Sequence, residues 1–157
     1  VSEESKTGVL NLPPWVRTAA DLYPGTGSLG GIFSGLSAAK GNYGMVVACD
    51  MPFLNTNLLR FMMDIISDYD AVVPMVKGRP EPLHAIYSVK CIAHIERRLR
   101  EGALKIAGLF NDISVAYVDE DDIEIFDPNH LSFFNVNTEE DLNRALALES
   151  QGDTITD

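Results

Sequence analysis

The nine residues at positions 45–53 constrain the fold of this chain more than any other segment. They read MVVACDMPF: five apolar residues precede Asp50, and Pro52 then prevents a regular paired strand from continuing. We interpret residues 45–49 as a buried strand that delivers Asp50 at its carboxyl end. Ligands bind at that edge in open α/β sheets, so Asp50 could hold a metal ion or a ribose. It could equally cap the next turn or helix.

Apolar periodicity and turn residues predict alternating strands and helices along the rest of the chain. The predicted strands are 45–49, 71–75, 83–89, 113–118 and 133–136, and the predicted helices are 32–39, 57–66, 90–100, 103–109 and 138–148. This alternation is typical of an α/β protein with a mostly parallel sheet covered on both faces. We expect a single domain over residues 1–149, followed by a polar tail at 150–157.

Composition excludes several classes of function. The formal net charge of −11 argues against a nucleic-acid binder, which needs a basic surface. The apolar runs are too short to span a membrane, and the polar start shows no signal peptide, so we expect a cytoplasmic protein. Cys49 and Cys91 lack zinc-site spacing and are interpreted as reduced thiols. The acidic run at 119–122 is interpreted as a solvated loop.

A glycine-rich stretch at residues 25–31 has the literal spacing Gly-x-Gly-x-x-Gly. No strand precedes it, so we reject a plain dinucleotide-binding motif. We expect a flexible loop that approaches a ligand closely and leads to a helix amino terminus favouring anions, although a simple tight turn would fit too. Asp21 lies just upstream and could converge with Asp50 beside one ligand.

Two further groups of polar residues are candidates for binding. Asn135 and Asn137 bracket Val136 at the exit of the last predicted strand, where alternation would place both amides on one side. They could fix a base, a ribose or a phosphate, or serve only as turn residues. In the predicted loop at 77–82, Arg79 and the following His84 could meet an anionic group, though surface charge and a core histidine are alternatives.

Taken together, four segments resemble the molybdenum cofactor guanylyltransferases over residues 21–148. They are 21–31 (DLYPGTGSLGG), 49–53 (CDMPF), 79–88 (RPEPLHAIYS) and 134–138 (FNVNT). The family usually has proline where this chain has Ser28. The resemblance implies a Rossmann-like nucleotidyltransferase fold, a three-layer sandwich. It also implies transfer of GMP from MgGTP to molybdopterin-type molybdenum cofactor, with release of pyrophosphate.

The resemblance also implies roles for individual residues. Asp50 would be the catalytic, magnesium-holding aspartate. The nucleotide would be bound by Asp21, Gly27, Leu29, Gly30, Asn135 and Asn137, and the pterin side by Arg79, Pro82 and His84. The implied partners are GTP and molybdopterin, with contact to a molybdoenzyme or a cofactor-insertion protein also possible.

One family element has no counterpart in the sequence. The main nucleotide loop, Gly-Gly-x-Ser-x-Arg-Met-Gly-x-x-Lys after the first strand, is absent, and residues 1–2 resemble the end of the second strand. We therefore expect an amino-terminally truncated member with impaired activity and an exposed sheet edge. Two alternatives stay open: another CTP- or GTP-dependent nucleotidyltransferase of this fold, and a catalytically inactive cofactor-binding module.

Overall fold

Helices and strands alternate through residues 13–152, the part of the chain that the computed structural model describes. The helices are α1 Gly27–Ala38, α2 Thr56–Ile65, α3 Cys91–Arg100, α4 Ile106–Leu109, α5 Glu120–Phe126 and α6 Glu139–Gly152. The strands are β1 Tyr43–Val47, β2 Ala71–Val76, β3 Arg79–Pro80, β4 His84–Ser88 and β5 Val115–Val118. Short 3₁₀ turns occupy Ile66–Asp68 and Leu131–Phe133. The predicted strand end at residues 1–2 and most of the predicted tail lie outside the described residues.

The strands form one mixed sheet. β1 pairs with β4, β4 pairs with β2, and β2 pairs in parallel with β5, while β3 pairs with the end of β2. β1, β2 and β5 share one direction, and β4 lies antiparallel between β1 and β2. The predicted α/β class is confirmed. Strands β1, β2 and β5 run parallel to one another, and β4 runs antiparallel to them.

Helices cover both faces of this sheet and enclose two cores. In β2, Ala71 and Val73 face the core that contains residues of α1 and α3, whereas Val72 faces the core that contains residues of α2 and α5. This split follows from the period of two along a strand. The result is the three-layer sandwich that the sequence predicted. Within the described residues no helix combines the length and apolarity needed to cross a membrane.

The strand before Asp50 differs from its prediction. β1 ends at Val47, and Met45 and Val47 are 42% and 39% exposed, so β1 is not a buried strand. In the described part of the chain β1 pairs only with β4 and therefore forms an edge of the sheet. Asp50 lies in a turn in which the Met51 N–H donates to the Ala48 carbonyl at 3.3 Å.

The predicted glycine-rich loop is mostly helix. α1 begins at Gly27, five residues before the predicted start, so Gly30 and Gly31 are helical. Gly25 has a φ of +78° and turns the chain, after which the Thr26 hydroxyl donates to the Tyr23 carbonyl. The sequence prediction was wrong here because it took glycine as a helix breaker, whereas these glycines allow close packing of the helix start.

Three other local predictions are corrected. Residues 77–82, predicted as a loop, begin with a tight hairpin turn between β2 and β3, in which Lys77 and Gly78 have positive φ. The acidic run at 119–122 is not a loop: the Asp119 carboxylate accepts from the Asp122 N–H and caps α5. Residues 133–136 form no strand, because the backbone bonds to a turn and to Asp50 instead of a neighbouring strand.

Candidate functional site

Asp50 and the segment at residues 134–137 lie side by side. The Val136 N–H donates to the Asp50 carbonyl oxygen at 2.8 Å, which brings Asn135 and Asn137 near the Asp50 turn. Asn135 Nδ2 donates to the Phe133 carbonyl, and the Asn137 N–H donates to Asp141 at the start of α6. The backbone that carries the two asparagines therefore lies beside the Asp50 turn, in an irregular segment rather than at the end of a strand, and their role in binding stays a prediction.

Two aromatic contacts hold this segment. The Phe134 ring lies 6.0 Å from the Phe53 ring, measured between centroids, and the Arg144 guanidinium carbon lies 5.5 Å from the centre of Phe134. Phe134 thereby connects the loop after Asp50 to helix α6. The site is thus assembled from the turn after β1 and the segment before α6, which are distant in sequence.

The Asp50 carboxylate is available to a ligand. The residue is half-buried, and within residues 13–152 its side chain accepts no hydrogen bond and forms no ion pair. In the same described range no group of three or more His, Cys, Asp or Glu residues could hold a metal ion together. A magnesium ion here would depend on Asp50, substrate phosphates and water, an oxygen-only donor set that Mg²⁺ prefers.

Asp21 belongs to the start of α1. Its Oδ1 accepts from the Tyr23 N–H at 3.0 Å and lies 3.4 Å from the hydroxyl of the buried Ser34. The same hydroxyl lies 2.9 Å from the Gly30 carbonyl oxygen. Asp21 is therefore fixed to the first turns of the helix, and among the described residues no hydrogen bond joins it directly to the Asp50 region.

A cavity of about 580 Å³ opens beside the start of α1. It is lined by residues 25–29, Pro82 and residues 104–107. It therefore unites Gly27 and Leu29, predicted for the nucleotide, with Pro82, predicted for the pterin side. Gly30 is buried behind this wall and supports the helix turn. None of the described residues that line the cavity is acidic, although the chain carries a net charge of −11.

Lys105 is the cation of this cavity, and sequence reasoning missed it. It lies directly before α4, which is held on α3 because the Gly108 backbone packs under the Arg98 guanidinium. Arg98 also donates to Asp112 at 2.9 Å, which fixes the guanidinium. The only sequence signal was a lone lysine soon after Gly102, the glycine that ends α3.

The two basic residues predicted for the pterin side have different environments. Arg79 is exposed on β3, whereas His84 is completely buried at the start of β4. Burial lowers the pKa of His84 to about 4, and the charge of Asp127 opposes this shift only in part. In this conformation the His84 ring presents no surface to a ligand, so its predicted contact with substrate receives no support from the structure.

The fold and the arrangement around Asp50 define a nucleotidyltransferase-type α/β domain. Residues 3–113 match the model of the MobA-like NTP transferase domain. The chain is 39% identical to the molybdenum cofactor guanylyltransferase of Desulfosudis oleivorans over 85% of this chain and 67% of that protein. It is 37% identical to a probable molybdenum cofactor guanylyltransferase of Pelotomaculum thermopropionicum over 88% of this chain and 68% of that protein.

Solved structures agree with the sequence comparison. The crystal structure of molybdopterin-guanine dinucleotide biosynthesis protein A from Archaeoglobus fulgidus has a TM-score of 0.73 and 33% identity, covering 83% of this chain and 67% of that one. A putative protein from Aquifex aeolicus, at a TM-score of 0.59 and 21% identity over 71% of this chain and 57% of that one, shares the fold. This chain belongs to the MobA-like NTP transferase family. It spans about two thirds of the length of these curated relatives.

Proposed function

We propose that this protein transfers GMP from MgGTP to the terminal phosphate of molybdopterin-type molybdenum cofactor and releases pyrophosphate. Family membership and the names of the relatives support a guanylyltransferase role in molybdenum cofactor biosynthesis. The structural observation that carries the proposal is the 2.8 Å bond from the Val136 N–H to the Asp50 carbonyl. It brings the backbone of residues 135–137 beside the turn that bears the Asp50 carboxylate, which supports a shared site there.

Asp50 would hold the magnesium ion. Attack of one phosphate on another is opposed by repulsion between two anions, and a divalent ion supplies charge neutralisation and in-line orientation. The attacking phosphate is already ionised, so the site needs no general base. The residues here therefore act by positioning and by electrostatics, with Asn135 and Asn137 offering amide groups to the nucleotide.

The cavity beside α1 would receive part of the substrates. Gly27 and Leu29 form its wall for the nucleotide, Asp21 is fixed nearby at the start of α1, and Lys105 offers a positive charge to an anionic group. Pro82 also lines the cavity, and the exposed Arg79 would extend toward the pterin side. A cytoplasmic location and contact with a molybdoenzyme or cofactor-insertion protein remain predictions.

The proposal is tested by measuring GMP transfer to molybdenum cofactor with GTP and with CTP. Two forms of the protein are assayed: the 157-residue chain, and the same chain preceded by the amino-terminal segment of the Desulfosudis oleivorans relative. The relative itself is the positive control. We expect transfer from GTP in the longer protein and its loss, by about 100-fold or more, in Asp50→Asn. Asp68→Asn, at an exposed position after α2, is the matched control and should keep full activity.

Other outcomes would favour the alternatives. Transfer with CTP and not with GTP would indicate a cytidylyltransferase of the same fold. Binding of the pterin without any nucleotide transfer would indicate a cofactor-binding module. Equal activity of Asp50→Asn and the wild type would refute the role of Asp50.

A further inference from the structure

His84 is a buried polar side chain that forms no hydrogen bond with the described residues. It has no exposed surface, and within residues 13–152 both Nδ1 and Nε2 lack a hydrogen-bond partner. Buried polar atoms are normally paired because an unpaired one loses its hydration without compensation. Because neither nitrogen is hydrogen-bonded to a described residue, the ring contributes here through its shape and its packing contact with Phe133.

The position of His84 connects two strands to the loop that carries Asp50. It opens β4 and stands opposite Val47, the last residue of β1. The preceding carbonyl, that of Leu83, accepts from the Ala48 N–H at 2.8 Å. Asp50 follows two residues later, so the turn bearing the carboxylate begins at the backbone next to His84.

On its other side the ring packs against Phe133. The two ring centroids are 4.9 Å apart with a tilted geometry. Phe133 ends the 3₁₀ turn that leads directly into residues 134–137, and Val136 in that segment donates to the Asp50 carbonyl. The backbone at His84 thus borders the start of the Asp50 turn, while its ring contacts Phe133 at the start of the segment that bonds to Asp50.

Upstream of Val136 the segment is held by ring contacts and by the turn before it: Phe134 packs against Phe53 and Arg144, and Phe133 packs against His84 and His130. The Asp127 carboxylate accepts from the Leu131 and Ser132 N–H groups at 3.0 and 2.8 Å, and Ser132 Oγ accepts from the Asn55 N–H. No strand pairing orients residues 133–137 in the described structure. The contact between the Phe133 and His84 rings is therefore one of the contacts that set the direction in which the chain leaves Phe133.

We propose that His84 is a positioning residue whose flat ring, wedged under Phe133, holds residues 133–137 against the Asp50 turn. It acts through packing shape and touches no substrate. That this positioning serves catalysis rests on the proposed guanylyltransferase function, whereas the positioning itself does not. The sequence hypothesis of a direct substrate contact by His84 is replaced by an indirect one.

The test compares two variants that both remove the unpaired nitrogens. His84→Phe keeps a flat ring, and His84→Leu keeps apolar bulk without one. Amide hydrogen exchange is followed by NMR at Val136, with amides of β2 and α3 as internal reference. We expect Val136 to exchange at least about tenfold faster in His84→Leu and within about threefold of wild type in His84→Phe.

The control variant is Ile95→Val, which loosens the core on the other face of the sheet. This substitution should accelerate amide exchange in β2 and α3 at least as much as it does at Val136. The inference is overturned if the Val136 amide exchanges at the same rate in His84→Leu and His84→Phe. It is also overturned if Ile95→Val accelerates exchange at Val136 as much as His84→Leu does.

Binding of Mn²⁺ alone, measured by electron paramagnetic resonance, separates the inference from the proposed function. A severalfold weaker affinity in His84→Leu and not in His84→Phe supports both. A second outcome separates the two ideas: Val136 exchanges faster in His84→Leu, but the Mn²⁺ affinity is unchanged in both His84→Leu and Asp50→Asn. The faster exchange would support the positioning role, and the unchanged affinity would count against Asp50 as the metal ligand.

Discussion

Gly30 shows how a single residue decides the geometry of the cavity wall. A Cβ at this position would lie 2.1 Å from the Thr26 hydroxyl oxygen and 3.1 Å from the Tyr23 carbonyl oxygen. Both atoms belong to the turn that starts α1, and the hydroxyl is already bonded to that carbonyl. The φ of Gly30 is not in the left-handed region, so backbone conformation does not require glycine here. Close packing against Thr26 and Tyr23 does.

Gly30→Ala should destabilise the protein by about 1–3 kcal/mol, since the overpacked turn must move. Gly35→Ala in the same helix is the matched control, because a Cβ there meets no atom within 4 Å. It should stabilise by about 0.5–1 kcal/mol through the helix preference of alanine. Urea unfolding measures both, and equal shifts of the same sign would contradict the packing argument.

His84 also predicts how stability depends on pH. Its ring titrates near 4 in the folded protein but near the ordinary value of 6.5 when unfolded. Between these values the unfolded chain binds more protons, so stability is complete above about pH 6.5 and decreases as pH falls toward 4.

Going from pH 7.5 to pH 5 should cost wild type about 2 kcal/mol more than His84→Phe, as measured by urea unfolding. Burial raises the pKa of Glu81, which acts in the opposite direction but equally in both proteins. Parallel pH profiles for the two proteins would refute the prediction.

At the scale of elements, Asn55 joins helix α2 to helix α5. Its Oδ1 accepts from the Asn57 and Leu58 N–H groups at 3.0 Å each, and its Nδ2 donates to the Phe126 carbonyl at 2.6 Å. The first pair caps α2, and the last bond fixes the end of α5. One side chain thus performs a local and a tertiary role.

These two roles can be separated by substitution. Asn55→Ala should cost about 1–2 kcal/mol through loss of the cap, with a further loss at the Phe126 carbonyl. Asn55→Asp keeps the cap acceptor but loses the donor, so its cost should be attributable to the Phe126 contact. Thermal and urea unfolding give both values, and an Asn55→Asp variant as stable as wild type would exclude a contribution from that contact.

At the scale of the whole molecule, the exposed edge of β1 is the feature of the described structure that most favours self-association. Met45 and Val47 are partly exposed on a strand that, within residues 13–152, pairs on one side only. Unpaired edge strands with apolar side chains are templates for association. The high negative charge opposes this, but it is concentrated toward the carboxyl end: twelve acidic residues and a single arginine follow Val118.

We expect the 157-residue chain to self-associate at concentrations of tens of micromolar, and Val47→Lys to reduce this association. Ile125→Lys is the control, because Ile125 is 72% exposed on α5, away from the edge. Sedimentation velocity would show the difference. A wild-type chain that stays monomeric, or an equal effect of both substitutions, would argue against association through β1.

Local signals were sufficient for much of the fold. Residues 71–75 are apolar throughout and were predicted as a strand, and β2 spans Ala71–Val76. Thr138 and Asp141 form a capping box at the start of α6, where a helix was predicted from residue 138, and each side chain accepts from the backbone N–H of the other. These features depend on neighbours a few residues apart, and each of the four motifs that indicated the family is likewise a short segment of the chain.

The sequence by itself determined the α/β class, the family and the candidate carboxylate at Asp50. Only the tertiary structure decided that, among the described residues, β1 lies at an edge of the sheet, that His84 is buried beneath Phe133, and that residues 25–29 share a cavity with Lys105. Edge position, burial and cavity walls arise from pairings between segments far apart in the chain. Periodicity and capping patterns report short-range preferences, so they cannot specify which distant segment lies opposite a given residue.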